Sequence, residues 1–214
     1  MSALKRTYDG FWRWLEREPT GWWYWLFLFL SLIAILSYNV MVLLVLGIIQ
    51  LSGNWPFFFL SLRSDSFDHR NEVISYLMAQ PLYLLPFILA WAVFKEEIWF
   101  RLAPFIFVTG RYAKRFLILV MLFVSSLAFG LAHGFSGWHY LAGGWIFVFI
   151  QGVTGLVLGI VYLKCGGLHN ANRKALLSSF LTHFIFNAIL VGVGLIAVYF
   201  LESQHIDVFK ISKK

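Results

Sequence analysis

Residues 91–104 read WAVFKEEIWFRLAP and set four charged side chains, Lys95, Glu96, Glu97 and Arg101, into an otherwise apolar run. The residues on both sides of this stretch are apolar enough to lie in a bilayer. A charged side chain at that depth costs roughly 2.5–3.5 kcal/mol on insertion scales for Asp, Lys or Arg. Because such a cost is usually offset by a function, this stretch is the first candidate for a functional site.

The composition is typical of a membrane protein. Of the 214 residues, 60% are hydrophobic and 13% are charged, whereas soluble domains are about half apolar and about a quarter charged. The apolar residues form runs of about 20 or more, which is the length that spans a bilayer. We therefore predict an all-α fold, a polytopic transmembrane helical bundle with a polar intramembrane cavity.

The charge pattern predicts topology and partners. The formal net charge is +7, and the basic residues lie mostly in short loops, a distribution that suits anionic lipid better than nucleic acid. We expect membrane lipid as a partner and no binding of nucleic acid. The N-terminus and the basic turns at 109–115 and 164–174 are predicted to face the cytoplasm. The single cysteine, Cys165, excludes an internal disulfide and a thiolate metal cluster.

The chain divides into four predicted segments. Residues 1–20 form an amphipathic or flexible cytoplasmic segment, and residues 21–72 form an N-terminal membrane anchor and loop. The apolar run of this anchor is about twice as long as that of a signal peptide, so we expect it to stay in the membrane. Residues 73–201 form the membrane domain that carries the polar motifs, and residues 202–214 form a polar tail. The main spans of the membrane domain are predicted at about 87–108, 116–133, 139–163 and 175–201.

Two further polar motifs lie inside apolar spans. His133 ends the run FGLAH, and His183 and Asn187 lie in HFIFN, where a spacing of four residues puts both on one helix face. At about 1.5 Å per residue from the basic turns, these three side chains and Glu96 fall at depths of roughly 12 to 26 Å. Helix tilts of about 20° are ordinary and would bring the four to a common depth. We therefore expect all four to meet in one cavity.

Each of these residues also has a purely structural interpretation. A lone His or Asn in a membrane helix is often an interhelical hydrogen-bonding group. Glu97 and Arg101, four residues apart, are expected to form a buried supporting pair. These interpretations leave unexplained why Glu, His, His and Asn coincide at one level of the membrane.

The four residues suit hydrolysis of a peptide bond without a covalent intermediate. A desolvated Glu is a better general base toward water, and His and Asn side chains can donate hydrogen bonds to the oxyanion. Glu and His are also zinc ligands, but Asn is a poor one and no HExxH motif is present. We therefore favour a reaction without a cofactor, and keep a zinc-dependent version as the alternative.

The three motifs together resemble those of a known family. EExxxR at 96–101, FxxxH at 129–133 and HxxxN at 183–187 occur in this order on successive predicted helices. They resemble the CAAX-protease and bacteriocin-processing family, also called CPBP or ABI, of intramembrane endopeptidases. The resemblance covers about residues 80–200 and implies a helical membrane fold whose cavity opens to the cytoplasmic side. It makes residues 73–201 the expected catalytic membrane domain.

The resemblance also implies roles for individual residues. It implies catalytic roles for Glu96, His133, His183 and Asn187, and supporting roles for Glu97 and Arg101. Glu96 and His133 would activate water, and His183 and Asn187 would stabilise the oxyanion. A compact chain of this length looks like a bacterial member, which implies a multi-pass protein of the bacterial cytoplasmic membrane, the inner membrane. Its expected substrate is a membrane-tethered peptide or protein tail. The prenylated proteins that eukaryotic members cleave are not expected as its substrates.

Two functions without proteolysis stay open on the sequence alone. One is an immunity or scaffold protein that binds a partner in the membrane and keeps the polar residues as structure. The other is a small transporter that uses Glu96 and Arg101 for ion coupling. The lack of an inverted repeat counts against the transporter.

Overall fold

The structure is a bundle of long helices. This computed structural model describes residues 3–51, 81–109, 114–136, 139–140 and 146–203. Four of its helices are long and apolar enough to cross a membrane, namely Trp22–Val45, Arg115–Ala132, Phe147–Lys164 and Asn172–Ile196. The predicted all-α membrane bundle is therefore confirmed. Residues 52–72 of the predicted segment 21–72 and residues 204–214 of the predicted polar tail lie outside the described residues, and the first two residues of that tail continue the last helix.

The described helices are, in chain order, α1 (Ala3–Glu16), α2 (Trp22–Leu51), α3 (Leu85–Glu97), α4 (Ala103–Ile106), α5 (Arg115–Ala132), α6 (Ile146–Lys164) and α7 (Asn172–Ser203). A π-helical segment, Ile98–Leu102, joins α3 to α4, so the predicted span at 87–108 forms a helical rod in three pieces. Single 3₁₀ turns occur at Leu82–Leu84 and Gly167–His169.

Helix α6 lies at the centre of the bundle and packs against α2, α5 and α7. Its closest neighbour is α5, because glycines lie at the contact between the two helices. A Cβ atom placed on Gly130 would lie 2.6 Å from the Cα atom of Val148, and one placed on Gly159 would lie 2.4 Å from a methyl group of Leu122. Glycines at these positions therefore let the two helices approach closely, as small residues do in membrane bundles.

Helix α1 covers the end of the bundle that carries the basic turns. Trp12 and Leu15 are each 1% exposed and pack in one cluster with Phe105 and Tyr162. The apolar face of this amphipathic helix is thus directed at protein rather than at lipid. Ion pairs at its end join Glu16 to Arg115 at 2.9 Å and Glu18 to Lys174 at 2.7 Å, each worth about 0–1 kcal/mol because the pairs are partly solvated.

The span predicted at 139–163 begins later than predicted. His139–Tyr140 is a two-residue strand that pairs in antiparallel fashion with Phe135–Ser136, and the described part of α6 is Ile146–Lys164. The predicted span is therefore wrong at its first two residues. The pairing of two short strands is a tertiary contact, which the hydropathy of the run does not encode.

Candidate active site

The two adjacent carboxylates at the end of α3 have different surroundings. Adjacent helix positions point about 100° apart, so one side chain faces the bundle while the other lies at its margin. The side chain of Glu97 is fully buried, whereas that of Glu96 is 32% exposed. Glu96 is therefore the carboxylate of the pair that water or a substrate can reach.

His183 lies between these two carboxylates. Helix α3 packs against α7, and this contact brings together residues 86 positions apart in the chain. The Nδ1 atom of His183 lies 2.8 Å from Oε1 of Glu97, and its Nε2 atom lies 3.5 Å from Oε2 of Glu96. With the ring only 2% exposed, the buried Glu97 sets its orientation and directs Nε2 toward Glu96.

Arg101 balances the charge of Glu97. Its Nε atom lies 3.8 Å from Oε2 of Glu97, and both side chains are fully buried. The guanidinium also donates a hydrogen bond of 3.2 Å to the carbonyl of Phe100. That carbonyl is available because its partner in an α-helix, four residues on, would be Pro104, which has no N–H group. The carbonyl of Phe100 thus gives the buried arginine a hydrogen-bond acceptor in addition to its ion pair with Glu97.

The ring of Phe129 lies at the centre of the polar cluster, among Arg101, His133 and His183. Phe129 was not among the predicted site residues. The guanidinium carbon of Arg101 lies 4.7 Å from its ring centroid, and the ring centroids of His133 and His183 lie at 4.5 and 5.7 Å. Phe100 packs edge to face on the same ring at 5.3 Å. The signal was present in FxxxH, because a spacing of four residues places Phe129 and His133 on one helix face.

Of the remaining two predicted catalytic residues, His133 contacts the cluster, and among the described residues no polar contact joins Asn187 to it. His133 follows the last turn of α5, and its Nδ1 donates a hydrogen bond of 2.8 Å to the carbonyl of Phe129. Asn187 lies one turn beyond His183 on α7 and is half-buried. Among the described residues, neither side chain bonds directly to Glu96. The structure thus joins Glu96, Glu97, Arg101 and His183 by polar contacts and His133 through Phe129.

The hydrogen bonds of both histidines leave the same ring nitrogen available. In each ring Nδ1 faces an oxygen that can only accept, a carboxylate for His183 and a carbonyl for His133, so Nδ1 carries the proton. In the neutral ring, Nε2 then has a free lone pair. Within the described residues, no group of three or more His, Cys, Asp or Glu side chains is arranged to hold a metal ion.

Several buried polar atoms of the cluster have spare hydrogen-bonding capacity. Oε2 of Glu96, Oε2 of Glu97, and Nε and one terminal nitrogen of Arg101 form no hydrogen bond within the part of the chain that the structure describes. Buried polar atoms are normally satisfied. Three of these four atoms belong to the fully buried Glu97–Arg101 pair, and the fourth, on Glu96, faces Nε2 of His183.

The chain matches the protein family described as type II CAAX prenyl endopeptidase Rce1-like, over residues 78–189. The match covers more than half of the chain and contains all three motifs, which places the chain in this family and confirms the resemblance seen in the sequence. At the level of the family, it is a CAAX-type intramembrane endopeptidase and a multi-pass membrane protein. No curated protein and no solved structure matches it.

Proposed function

Because the chain belongs to this family, we propose that it is a glutamic-type intramembrane endopeptidase that hydrolyses a peptide bond in a membrane-tethered peptide or protein tail. The observation that carries this proposal is the position of His183, held at 2.8 Å by the buried Glu97 and placed 3.5 Å from the accessible Glu96. A structural ion pair needs only one carboxylate. The second carboxylate, partly exposed on the other side of the ring, is what a general base requires.

In the proposed reaction, Glu96 takes a proton from water, and the water oxygen attacks the carbonyl carbon of the scissile bond. His133 orients that water through the lone pair on its Nε2 atom. Glu96 then passes the proton to the leaving nitrogen as the tetrahedral intermediate breaks down. Water is the nucleophile, so no covalent intermediate forms and no cofactor is needed.

His183 and Asn187 stabilise the oxyanion in this mechanism. Asn187 donates from its amide group, and His183 donates from Nε2 in its doubly protonated form. Glu97 is the counter-ion of this ring, because Glu96 has by then taken the proton from water. Preorganised donors of this kind are worth roughly 10²–10³ in kcat each. Glu97 and Arg101 act as positioning residues, since they contact His183 and the surrounding rings rather than the reacting atoms.

The zinc-dependent version of the same protease is supported by one observation. Histidines that bind a metal usually donate their second ring N–H to a carboxylate or a carbonyl, and both histidines of the cluster do so. The candidate ligands are His133, His183 and Glu96, and zinc would supply an activated water. The structure does not arrange these three described side chains as a metal site, so zinc binding would require them to move closer together. Treatment with a chelator separates the two versions: full activity after exhaustive chelation supports the glutamic one, and activity lost and then restored by zinc supports the other.

Substitution of Glu96 tests the proposal. In proteoliposomes with a membrane-tethered peptide as substrate, we expect Glu96→Gln to lower kcat by roughly 10²–10⁴-fold, the usual contribution of a general base. Lys95→Gln is the matched control, because Lys95 is an exposed neighbour on the same helix. Full activity in Glu96→Gln would contradict the proposal and favour the immunity or scaffold function.

The remaining assignments are part of the same proposal. Residues 73–201 form the catalytic domain, preceded by the cytoplasmic segment 1–20 and the anchor and loop 21–72. The protein lies in the bacterial cytoplasmic membrane with its basic turns inside. Its partners are membrane lipid and the tethered substrate, and it does not bind nucleic acid.

A further inference from the structure

A cavity of about 480 Å³ lies away from the polar cluster, where α1 ends and α2 begins, and it shares no residue with that cluster. Its polar end is formed by Arg17, Glu18, Thr20 and Lys164, and much of its apolar wall by Trp23, Leu26 and Leu30. The three apolar residues lie at i, i+3 and i+7, so they form one face of α2. Trp23 is 69% exposed and Leu30 54% exposed on the lipid-facing side of the bundle, so this face opens to lipid.

Lys164 is a buried cation that donates to backbone carbonyls. It is 6% exposed, and its ammonium donates to the backbone carbonyls of Trp14 and Arg17, the latter at 2.8 Å. The ammonium also lies 4.2 Å from the ring centroid of Trp14. A lysine has three donor hydrogens, so one remains for a further partner. Among the described residues no carboxylate pairs with it, although it lines the cavity.

The other charges around the cavity leave it positive. Arg17 is exposed and has no carboxylate partner among the described residues. Glu18 is the one acidic side chain in the lining, and it is already bound to Lys174 at 2.7 Å. Arg17 and Lys164 therefore face the cavity as cations, while the charge of Glu18 is neutralised by Lys174. This charge distribution favours the binding of an anion.

We propose that this cavity binds the phosphate of an anionic phospholipid, held by Lys164 and Arg17, with one acyl chain along Trp23, Leu26 and Leu30. The distance from Trp23 to Leu30 is about 10 Å along a helix, which corresponds to the first half of an acyl chain. A soluble phosphate would use the cations but would leave the apolar face uncovered. The shape of the site, charged at the interface and apolar along a membrane helix, is that of a lipid.

The test uses the purified full-length protein in detergent and native mass spectrometry. The probes are phosphatidylglycerol, phosphatidylcholine with the same acyl chains, and glycerol 3-phosphate. We expect phosphatidylglycerol to bind more tightly than phosphatidylcholine. Arg17→Gln should weaken its binding roughly three- to tenfold, as expected for loss of one charge-assisted contact. Arg13→Gln is the control, since it removes the same charge one turn before the end of α1, at a residue outside this cavity. It should leave binding unchanged.

Three results would overturn the inference. Equal binding of the two phospholipids would remove the role of the charge. Equal effects of Arg17→Gln and Arg13→Gln would mean that general surface charge, and not this cavity, attracts the lipid. Displacement of phosphatidylglycerol by equimolar glycerol 3-phosphate would make the ligand a soluble anion. Lys164→Met should abolish the preference for phosphatidylglycerol, and if it fails to fold, the two arginine variants still decide. None of these measurements depends on peptidase activity.

Discussion

At the scale of single residues, Phe129 positions the polar cluster through its ring. The guanidinium of Arg101 lies on one side of that ring, and both histidines contact it. Buried cation–π and aromatic contacts are worth about 1–2 kcal/mol each. We expect Phe129→Leu to lower kcat/KM about tenfold, because it keeps most of the volume but removes the ring. Cleavage kinetics and thermal unfolding measure the two effects.

The control for this substitution is Phe123→Leu. Phe123 lies on the same helix and is 70% exposed toward lipid, so its replacement should leave both kinetics and unfolding unchanged. If Phe129→Leu kept the full kcat/KM, the ring would be a packing residue only.

The buried pair Glu97–Arg101 predicts strong coupling between two substitutions. Arg101→Met leaves an uncompensated buried carboxylate, which costs about 3–5 kcal/mol of folding free energy. Glu97→Gln in addition removes that charge, so the double variant should be more stable than Arg101→Met alone. Thermal unfolding of the two single variants and the double variant gives the coupling. Additive effects would show that the two groups do not interact at the 3.8 Å seen here.

At the scale of secondary-structure elements, the π-helical segment Ile98–Leu102 ends two residues before Pro104, and we expect the proline to favour it. The proline cannot donate to the carbonyl of Phe100, and Arg101 uses that carbonyl instead. Pro104→Ala restores the donor, so we expect the rod to become a regular α-helix that is at least as stable. The residues on either side of the segment would then rotate relative to each other, and kcat should fall by more than tenfold, since misplacement by about 1 Å costs up to 10²-fold.

Pro86→Ala is the matched control for this element. Pro86 lies in the first turn of α3, where a helix leaves its N–H groups unpaired in any case. Its replacement should therefore leave kinetics unchanged. Wild-type kcat in Pro104→Ala would show that the π-helical segment is irrelevant to the site.

At the scale of the whole molecule, Cys165 reports on the integrity of the bundle. It is fully buried and packs with Leu28 of α2 and Val161 of α6. Burial raises the pKa of its thiol to about 11, against about 8.5 for a free thiol. A raised pKa lowers the thiolate fraction at pH 8 roughly 100-fold, and burial adds a steric barrier. We expect maleimide to label the native protein at least about 100-fold more slowly than the protein unfolded in SDS.

The comparison for this labelling experiment is an exposed thiol, Arg13→Cys in a Cys165→Ala background. It should react at the same rate in the native and unfolded states. Rapid labelling of native Cys165 would mean that α2 separates readily from α6, which would contradict the packing described here.

The sequence by itself determined the fold class, the family and the polar residues of the site. Apolar runs of membrane length and three ordered motifs are local properties, so they can be read without knowing which helices are neighbours. Glu96, Glu97 and His183 were therefore identified from their cost in an apolar span. Their catalytic roles stay predictions that the substitutions above test.

Only the tertiary structure decided which of these groups touch. The contact between Glu97 and His183 joins residues 86 positions apart, and it depends on how α3 and α7 are rotated about their axes. Hydropathy does not encode that rotation, because side-chain packing sets it. For the same reason the sequence did not indicate that Phe129 lies among the charged groups or that α1 packs on protein rather than on lipid. The polar residues thus follow from local composition, and their pairing from the packing of helices distant in the chain.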